Sequence, residues 1–116
     1  MAHPKIVRNI HPEVSNDILD LPDAENRLLA LQTIKGIVAG KTVGSPLENR
    51  KSTGDLSDCM KVLFDTRSDI PPRFRIVYRK SNKGVEIVLI EVLAVGERFG
   101  LEAYLSAALR LNRSKG

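Results

Sequence analysis

The chain is poor in the residues on which many small enzymes build their chemistry. It has one cysteine, Cys59, which excludes an intrachain disulfide and a thiolate zinc site. It has no tryptophan, 3 phenylalanines and 2 tyrosines, too few aromatics for an RRM-type platform on which bases stack. Its two histidines, His3 and His11, lie far along the chain from the basic residues and argue against a histidine-pair ribonuclease. Acidic side chains do not cluster as a two-metal nuclease requires. There is no Ser-His-Asp constellation, Walker loop or dinucleotide fingerprint, so neither a metal nor an organic cofactor is expected. No apolar run approaches the roughly 20 residues of a membrane span, and no signal peptide is recognisable. A cytoplasmic protein with no membrane partner is the expectation. Internal repeats and low-complexity segments are absent too.

What remains is enough to fold. The 116 residues are 42% hydrophobic and 28% charged, a balance that favours one globular domain over 1–116. The net charge is only +4, but it is unevenly placed. Residues 1–58 hold 7 basic and 8 acidic side chains, whereas residues 59–116 hold 11 and 6. Arg73, Arg75, Arg79, Lys80 and Lys83 fall within 73–83 with no acid between them. A basic half beside a near-neutral half points to a polyanionic partner, most often a nucleic acid.

The pattern of apolar residues predicts the elements. Residues 5–10 read as a short strand. Pro12 suits the first turn of a helix capped by His11 or a neighbour, which Leu21-Pro22 ends near Asp20. A second helix is expected from Asp23 to Val38, with Leu28, Leu31, Ile34 and Val38 on its apolar stripe and Gly40 after its end. Residues 40–58 form a polar stretch expected to hold irregular turns. Met60 to Phe64 and Arg73 to Lys80 alternate as half-buried strands, and Ser81-Asn82-Lys83-Gly84 has the chemistry of a hairpin turn. Val85 to Val95 is apolar on both faces, as in a central strand. Leu101, Leu105, Ala108 and Leu111 outline a final helix. The expected fold is α+β: an N-terminal strand and helical hairpin packed on a mostly antiparallel four-stranded sheet, with a C-terminal helix.

Strand parity sharpens the charge argument. If Met60, Val62, Phe64, Phe74, Ile76 and Tyr78 face the helices, then Lys61, Arg73, Arg75 and Arg79 share the opposite face with Leu63 and Val77. Like charges side by side repel, so such a cluster is unfavourable unless an anion fills the gap.

Four pieces in order, Gly54-Asp55-Leu56-Ser57-Asp58-Cys59-Met60-Lys61-Val62, Phe74-Arg75-Ile76-Val77-Tyr78, Val95-Gly96-Glu97-Arg98 and Tyr104, resemble the RelE/ParE toxin superfamily. The likeness is greatest to RelE-type messenger-RNA interferases of type II toxin–antitoxin modules, and it extends over essentially the whole chain. The resemblance implies a ribosome-dependent endoribonuclease that cuts messenger RNA in the A site by attack of a ribose 2′-OH on the adjacent phosphate. It implies Lys61 as base, Arg75 on the phosphate, Arg98 at the leaving group and Tyr104 positioning the nucleotide. Lys51, Arg73, Arg79 and Lys80 are then the expected RNA-binding cations. It implies an antitoxin protein as partner, beside the ribosome and messenger RNA, and leaves the oligomeric state of the free toxin open. Leu63 departs from the pattern, standing where a second lysine is expected. A ParE-type module that binds DNA gyrase, or a catalytically degenerate binding protein of the same fold, is the alternative reading.

Overall fold

The computed structural model describes residues 5–47, 49–50, 54–83, 87–97 and 102–112. The elements run β1 (Lys5–Ile10), α1 (Val14–Leu19), α2 (Ala24–Val38), β2 (Ser45–Pro46), β3 (Asn49–Arg50), β4 (Gly54–Asp55), β5 (Cys59–Phe64), β6 (Phe74–Lys83), β7 (Ile87–Glu97) and α3 (Glu102–Arg110). The main sheet has five strands in the order β1-β7-β6-β5-β2. Pairing of β1 with β7 is parallel, and the other pairs are antiparallel. The expected four-stranded sheet therefore gains the two-residue β2, while β3 and β4 make a separate ribbon. Both additions come from the stretch read as irregular. Strands of two residues are too short to show alternation, so no periodicity announces them.

The short helix α1 follows Pro12, and the His11 ring nitrogen accepts from the backbone N–H of Glu13. Asp23 caps α2, its Oδ1 accepting from the N–H of Asn26 at 2.7 Å. The buried stripe of α2 is Asn26, Ala30, Ile34 and Ile37. Leu28 and Leu31, expected in the core, are 57% and 50% exposed. Both stripes have helical spacing, and the sheet takes the one carrying Ala30, whose small side chain lets the helix axis come close. The buried Asn26 is satisfied on both sides: its Nδ2 donates to Asp23, and its Oδ1 accepts from the N–H of Thr66.

The α1–α2 face of the sheet is closed by Phe64, Phe74, Ile76, Tyr78, Ile90, Val92 and Val95, with Met60 and Val62 partly buried beside them. The parity expected for β5 and β6 holds on this face. The Tyr78 hydroxyl accepts from the N–H of Gly44, fixing the segment that leads into β2. Gly44 passes so close to β5 that a Cβ there would collide with the Lys61 carbonyl oxygen. The β6–β7 ladder continues to Lys83↔Ile87, so Ser81 to Lys83 extend the strand where a turn is expected. The connection itself lies outside the described residues.

The partner register along β7 shifts between Val77↔Ala94 and Tyr78↔Val92, which leaves Leu93 as the extra residue of a bulge. β1 ends at Ile10, opposite Val92, so the edge of β7 beyond it has no strand to bond. Two side chains finish that edge. Asp17 of α1 accepts from the N–H of Val95 at 3.0 Å, and Arg110 of α3 donates to the carbonyl of Leu93 at 2.9 Å. Arg110 also forks onto both carboxylate oxygens of Asp17, which tether α3 to α1 across the sheet edge. This pair raises the pKa of Arg110 through its hydrogen bond to Asp17. Helix α3 meets the sheet through Ala103, Tyr104, Ala107 and Ala108; of the expected stripe, Ala108 is buried and Leu111 packs partly buried beside it. Leu105 is exposed, and Leu101 lies outside the described residues. Small side chains again decide the approach: a Cβ on Gly96 would sit 3.0–3.3 Å from Ala103.

Candidate functional site

The face of the sheet beneath α3 carries the alternate side chains of β5 and β6. Cys59 pairs with Arg79, Lys61 with Val77 and Leu63 with Arg75. Lys61 is therefore the diagonal neighbour of both Arg75 and Arg79, a spacing of roughly 7–8 Å that long side chains bridge easily. Three of the four cations expected on one face do share it. Val77 and Cys59 are covered by α3, while Leu63 at the outer side of the sheet remains 45% exposed.

The cations on this face are not equivalent. Arg79 is spent: its Nε and Nη2 both hold Glu91, its rung partner on β7, and Nη1 lies 3.5 Å from Asp58. Lys61 has no carboxylate partner among the described residues. Arg75 is 7% exposed, and its Nη1 donates to the carbonyl oxygens of Pro72 at 2.9 Å and Phe74 at 3.0 Å. Both hydrogens of Nη1 are thereby used. Its Nε and Nη2 have no hydrogen-bond partner among the described residues. Those two nitrogens form the fork that binds a carboxylate or a phosphate in bidentate fashion. Arg67, Arg73 and Arg79 each use the same edge on a carboxylate, of Asp69, Asp65 and Glu91 respectively. Arg75 alone of these four presents a held guanidinium with that edge unspent. The fork itself reaches solvent, because the buried side-chain nitrogen without a partner among the described residues is Arg27 Nε rather than either of these atoms, and it is therefore open to an incoming anion.

Arg73 leaves the face on which parity sets it. It precedes β6, and where the β5–β6 ladder ends at Phe64↔Phe74 the alternation no longer constrains it. Its guanidinium lies over the Phe74 ring, 4.9 Å from the centroid, and pairs with Asp65 at 2.8 Å. Asp65 is fully buried as a side chain and also accepts from the N–H groups of Arg67 and Arg73. The Arg73 hydrogen bond, with these two amides, holds the Asp65 carboxyl well below the usual carboxylate range. Lys80 has the opposite parity and lines a cavity of about 450 Å³ on the α2 side of the sheet, with Met60, Tyr78 and Ile90. Tyr104 is buried among Val77, Ala94 and Leu56. Lys51 and Arg98 lie outside the described residues.

The carboxylates that separate spent from unspent cations were not singled out from the sequence. Glu91 is an acid inside an apolar run, a sign that it needs a buried partner. Asp65 has the pattern of an Asx turn, an aspartate accepting from the amide two residues on, in a segment that ends in Pro71-Pro72. Asp17 and Arg110 are 93 residues apart in sequence and carry no local signature.

No protein-family model and no curated protein matches the chain. Among solved structures, an arginine double mutant of the E. coli toxin RelE in the free state superposes with a TM-score of 0.56 and 17% sequence identity. The match covers 96% of this chain and 99% of that one. At that identity the likeness establishes the fold: the chain is an α+β protein with the RelE fold.

Proposed function

We propose that this chain is the toxin of a type II toxin–antitoxin module, a single-domain endoribonuclease that cuts messenger RNA in the ribosomal A site. The observation that carries the reading is the unspent Nε–Nη2 fork of Arg75 with Lys61 diagonal to it on one sheet face. Such a pair suits a phosphodiester better than a carboxylate, because one group grips the phosphate while the other serves the attacking hydroxyl.

In the reaction, a ribose 2′-oxygen attacks the adjacent phosphorus. The P–O2′ bond forms, the P–O5′ bond breaks, and the products are a 2′,3′-cyclic phosphate and a 5′-hydroxyl. Lys61 takes the 2′-OH proton as general base. The Arg75 fork stabilises the non-bridging oxygens, on which charge builds in the transition state. Arg98 is the group assigned to stabilise or protonate the leaving 5′-oxygen, so that it departs as the 5′-hydroxyl. Tyr104, on the buried side of α3, sets the height of that helix over the site and with it the space for the nucleotide. Arg73 and Arg79, already paired with carboxylates, lend at most peripheral attraction to RNA. Lys51 completes the proposed RNA-binding set, whereas Lys80, on the α2 side of the sheet, points away from the Lys61–Arg75 face. The proposed partners are the ribosome and messenger RNA in the cytoplasm, and an antitoxin whose acidic or amphipathic segment covers the basic face or displaces α3. Among the described residues no helix is long and apolar enough to cross a membrane.

The test is to add the protein to translating ribosomes and map RNA 5′ ends, with a gyrase supercoiling assay in parallel. Codon-phased cuts are expected. Arg75→Ala lowers their rate by about 10²–10³-fold, the effect of removing one oriented transition-state donor, and Arg79→Ala leaves the rate near that of the parent. Absence of cuts together with gyrase inhibition would overturn the assignment.

A further inference from the structure

The segment between β5 and β6 is organised around one carboxylate. Asp65 closes both of its ends: Oδ1 accepts from the N–H of Arg67 and from Nη2 of Arg73, and Oδ2 accepts from the N–H and Nε of Arg73. Just before Arg73, Pro71 and Pro72 fix φ at two successive residues. The N–H of Arg73 and the C=O of Pro72 belong to the same peptide unit, which is planar and trans, so the two groups point in opposite directions. On one side of this unit Asp65 Oδ2 holds the N–H at 3.1 Å. On the other side the carbonyl oxygen receives Arg75 Nη1 at 2.9 Å. Rotation of that plane would break both bonds together.

We propose that Asp65 is a positioning residue for Arg75, acting through the Pro72–Arg73 peptide plane to hold the Nε–Nη2 fork open toward a phosphodiester. The inference deepens the function proposed above and rests on Arg75 being the phosphate-gripping group. Phe74 supplies a second acceptor for Nη1, but it is the residue next to Arg75 and leaves the guanidinium free to swing about that single bond. The Pro72 carbonyl is the second fixed point, and two points are needed to orient a planar group. The Asp65–Arg73 ion pair stabilises the segment, but the backbone amide is the part that transmits orientation. Removing the Arg73 side chain should therefore matter less than removing the Asp65 acceptor.

The experiment uses the full chain and a short 2′-O-methyl oligoribonucleotide, which offers phosphodiesters but no attacking hydroxyl. Binding is followed by the Nε–H resonance of Arg75 in ¹⁵N-correlated NMR, assigned through Arg75→Lys. In the parent protein that resonance shifts on titration. Asp65→Ala is expected to weaken binding by roughly tenfold, the loss of about one well-placed hydrogen bond, and to abolish most of the Arg75 shift. Asp65→Asn, which retains one acceptor, falls between the two and carries the test if Asp65→Ala does not fold. Arg73→Gln, which keeps the backbone amide but removes a peripheral cation, binds less tightly by about threefold or less and retains the Arg75 Nε–H shift that Asp65→Ala loses. A folded Asp65→Ala or Asp65→Asn protein that is less stable but binds as the parent does, with the Arg75 shift intact, overturns the positioning role and leaves Arg75 as the phosphate group. If Arg75→Ala binds as tightly as the parent, the function proposed for Arg75 falls, and this inference with it.

Discussion

On the α1–α2 face of the sheet, Phe64, Phe74, Ile76 and Tyr78 meet aliphatic side chains of two helices, and the buried polar group, Asn26, has its partners. On the α3 face, Cys59, Val77 and Ala94 meet a helix whose contacts are mostly alanine, and the same strands carry Lys61, Arg75 and Arg79. One face places large side chains against two helices and closes. The other uses small ones, so a single helix covers its centre and leaves a charged margin. The difference shows how one sheet divides its work: stability comes from the face that closes, and the opposite face holds an arginine whose stem is packed while its fork stays at the surface without a carboxylate.

The comparison can be broken most strongly from the closed face. Phe74→Ala removes a fully buried ring that stands 5.6 Å from Phe64 and supports Arg73 above it. It is expected to cost about 3–5 kcal/mol, read as a fall in the urea midpoint. If it cost no more than a surface change, the assignment of stability to that face would be wrong. Next in size is the tether between the two faces. Asp17→Ala leaves the Val95 amide and the Arg110 guanidinium, both largely buried, without their acceptor. A loss of about 1–3 kcal/mol is expected, together with faster hydrogen exchange at Val95.

A third measurement concerns acid. The Asp65 carboxyl is held below its ordinary range, so between the unfolded and folded values the unfolded chain binds more protons and stability falls as pH falls. The contribution is complete above the ordinary aspartate value of about 3.9 and is lost progressively below it. Urea midpoints taken from pH 6 down to about pH 2 should show an acid limb that is shallower in Asp65→Asn. Equal limbs in the two proteins would remove Asp65 from the set of groups that drive acid unfolding. The smallest effect is expected at Leu28. Leu28→Gln should change stability by no more than about 0.5 kcal/mol, whereas Ile34→Ala, further along the same helix, should cost about 2–5 kcal/mol. A large loss at Leu28 would mean that α2 is rotated from the stripe described.

Much of this is legible in the chain alone. Six positions of β5 and β6 alternate without interruption, and their parity by itself puts Lys61, Arg75 and Arg79 on one face, where the ladder holds them. The cap at Asp23, the end of α2 at Val38 and the limits of β1 follow from local chemistry. The rotation of α2 is not legible, because two apolar stripes of equal period compete and the sheet chooses between them. The bulge at Leu93 is hidden within a run apolar on both faces, where a one-residue slip leaves no trace in the pattern. Arg73 escapes parity because it stands just past the last rung.

What the sequence by itself determined is periodic or local: the order of elements, the faces of the two amphipathic strands, and the concentration of positive charge in the second half. Alternation and capping depend on neighbours a few residues away, so they survive translation into a linear code. The state of each cation was decided only in three dimensions. Arg79 is neutralised by Glu91 across a rung, Arg73 by Asp65 across a loop, and Arg75 by no carboxylate among the described residues. Nothing in the types or spacing of those arginines separates them. The distinction lies in which carboxylate the tertiary fold brings within hydrogen-bond reach, and at that range a shift of a few ångströms decides whether a fork is spent or remains open for an anion.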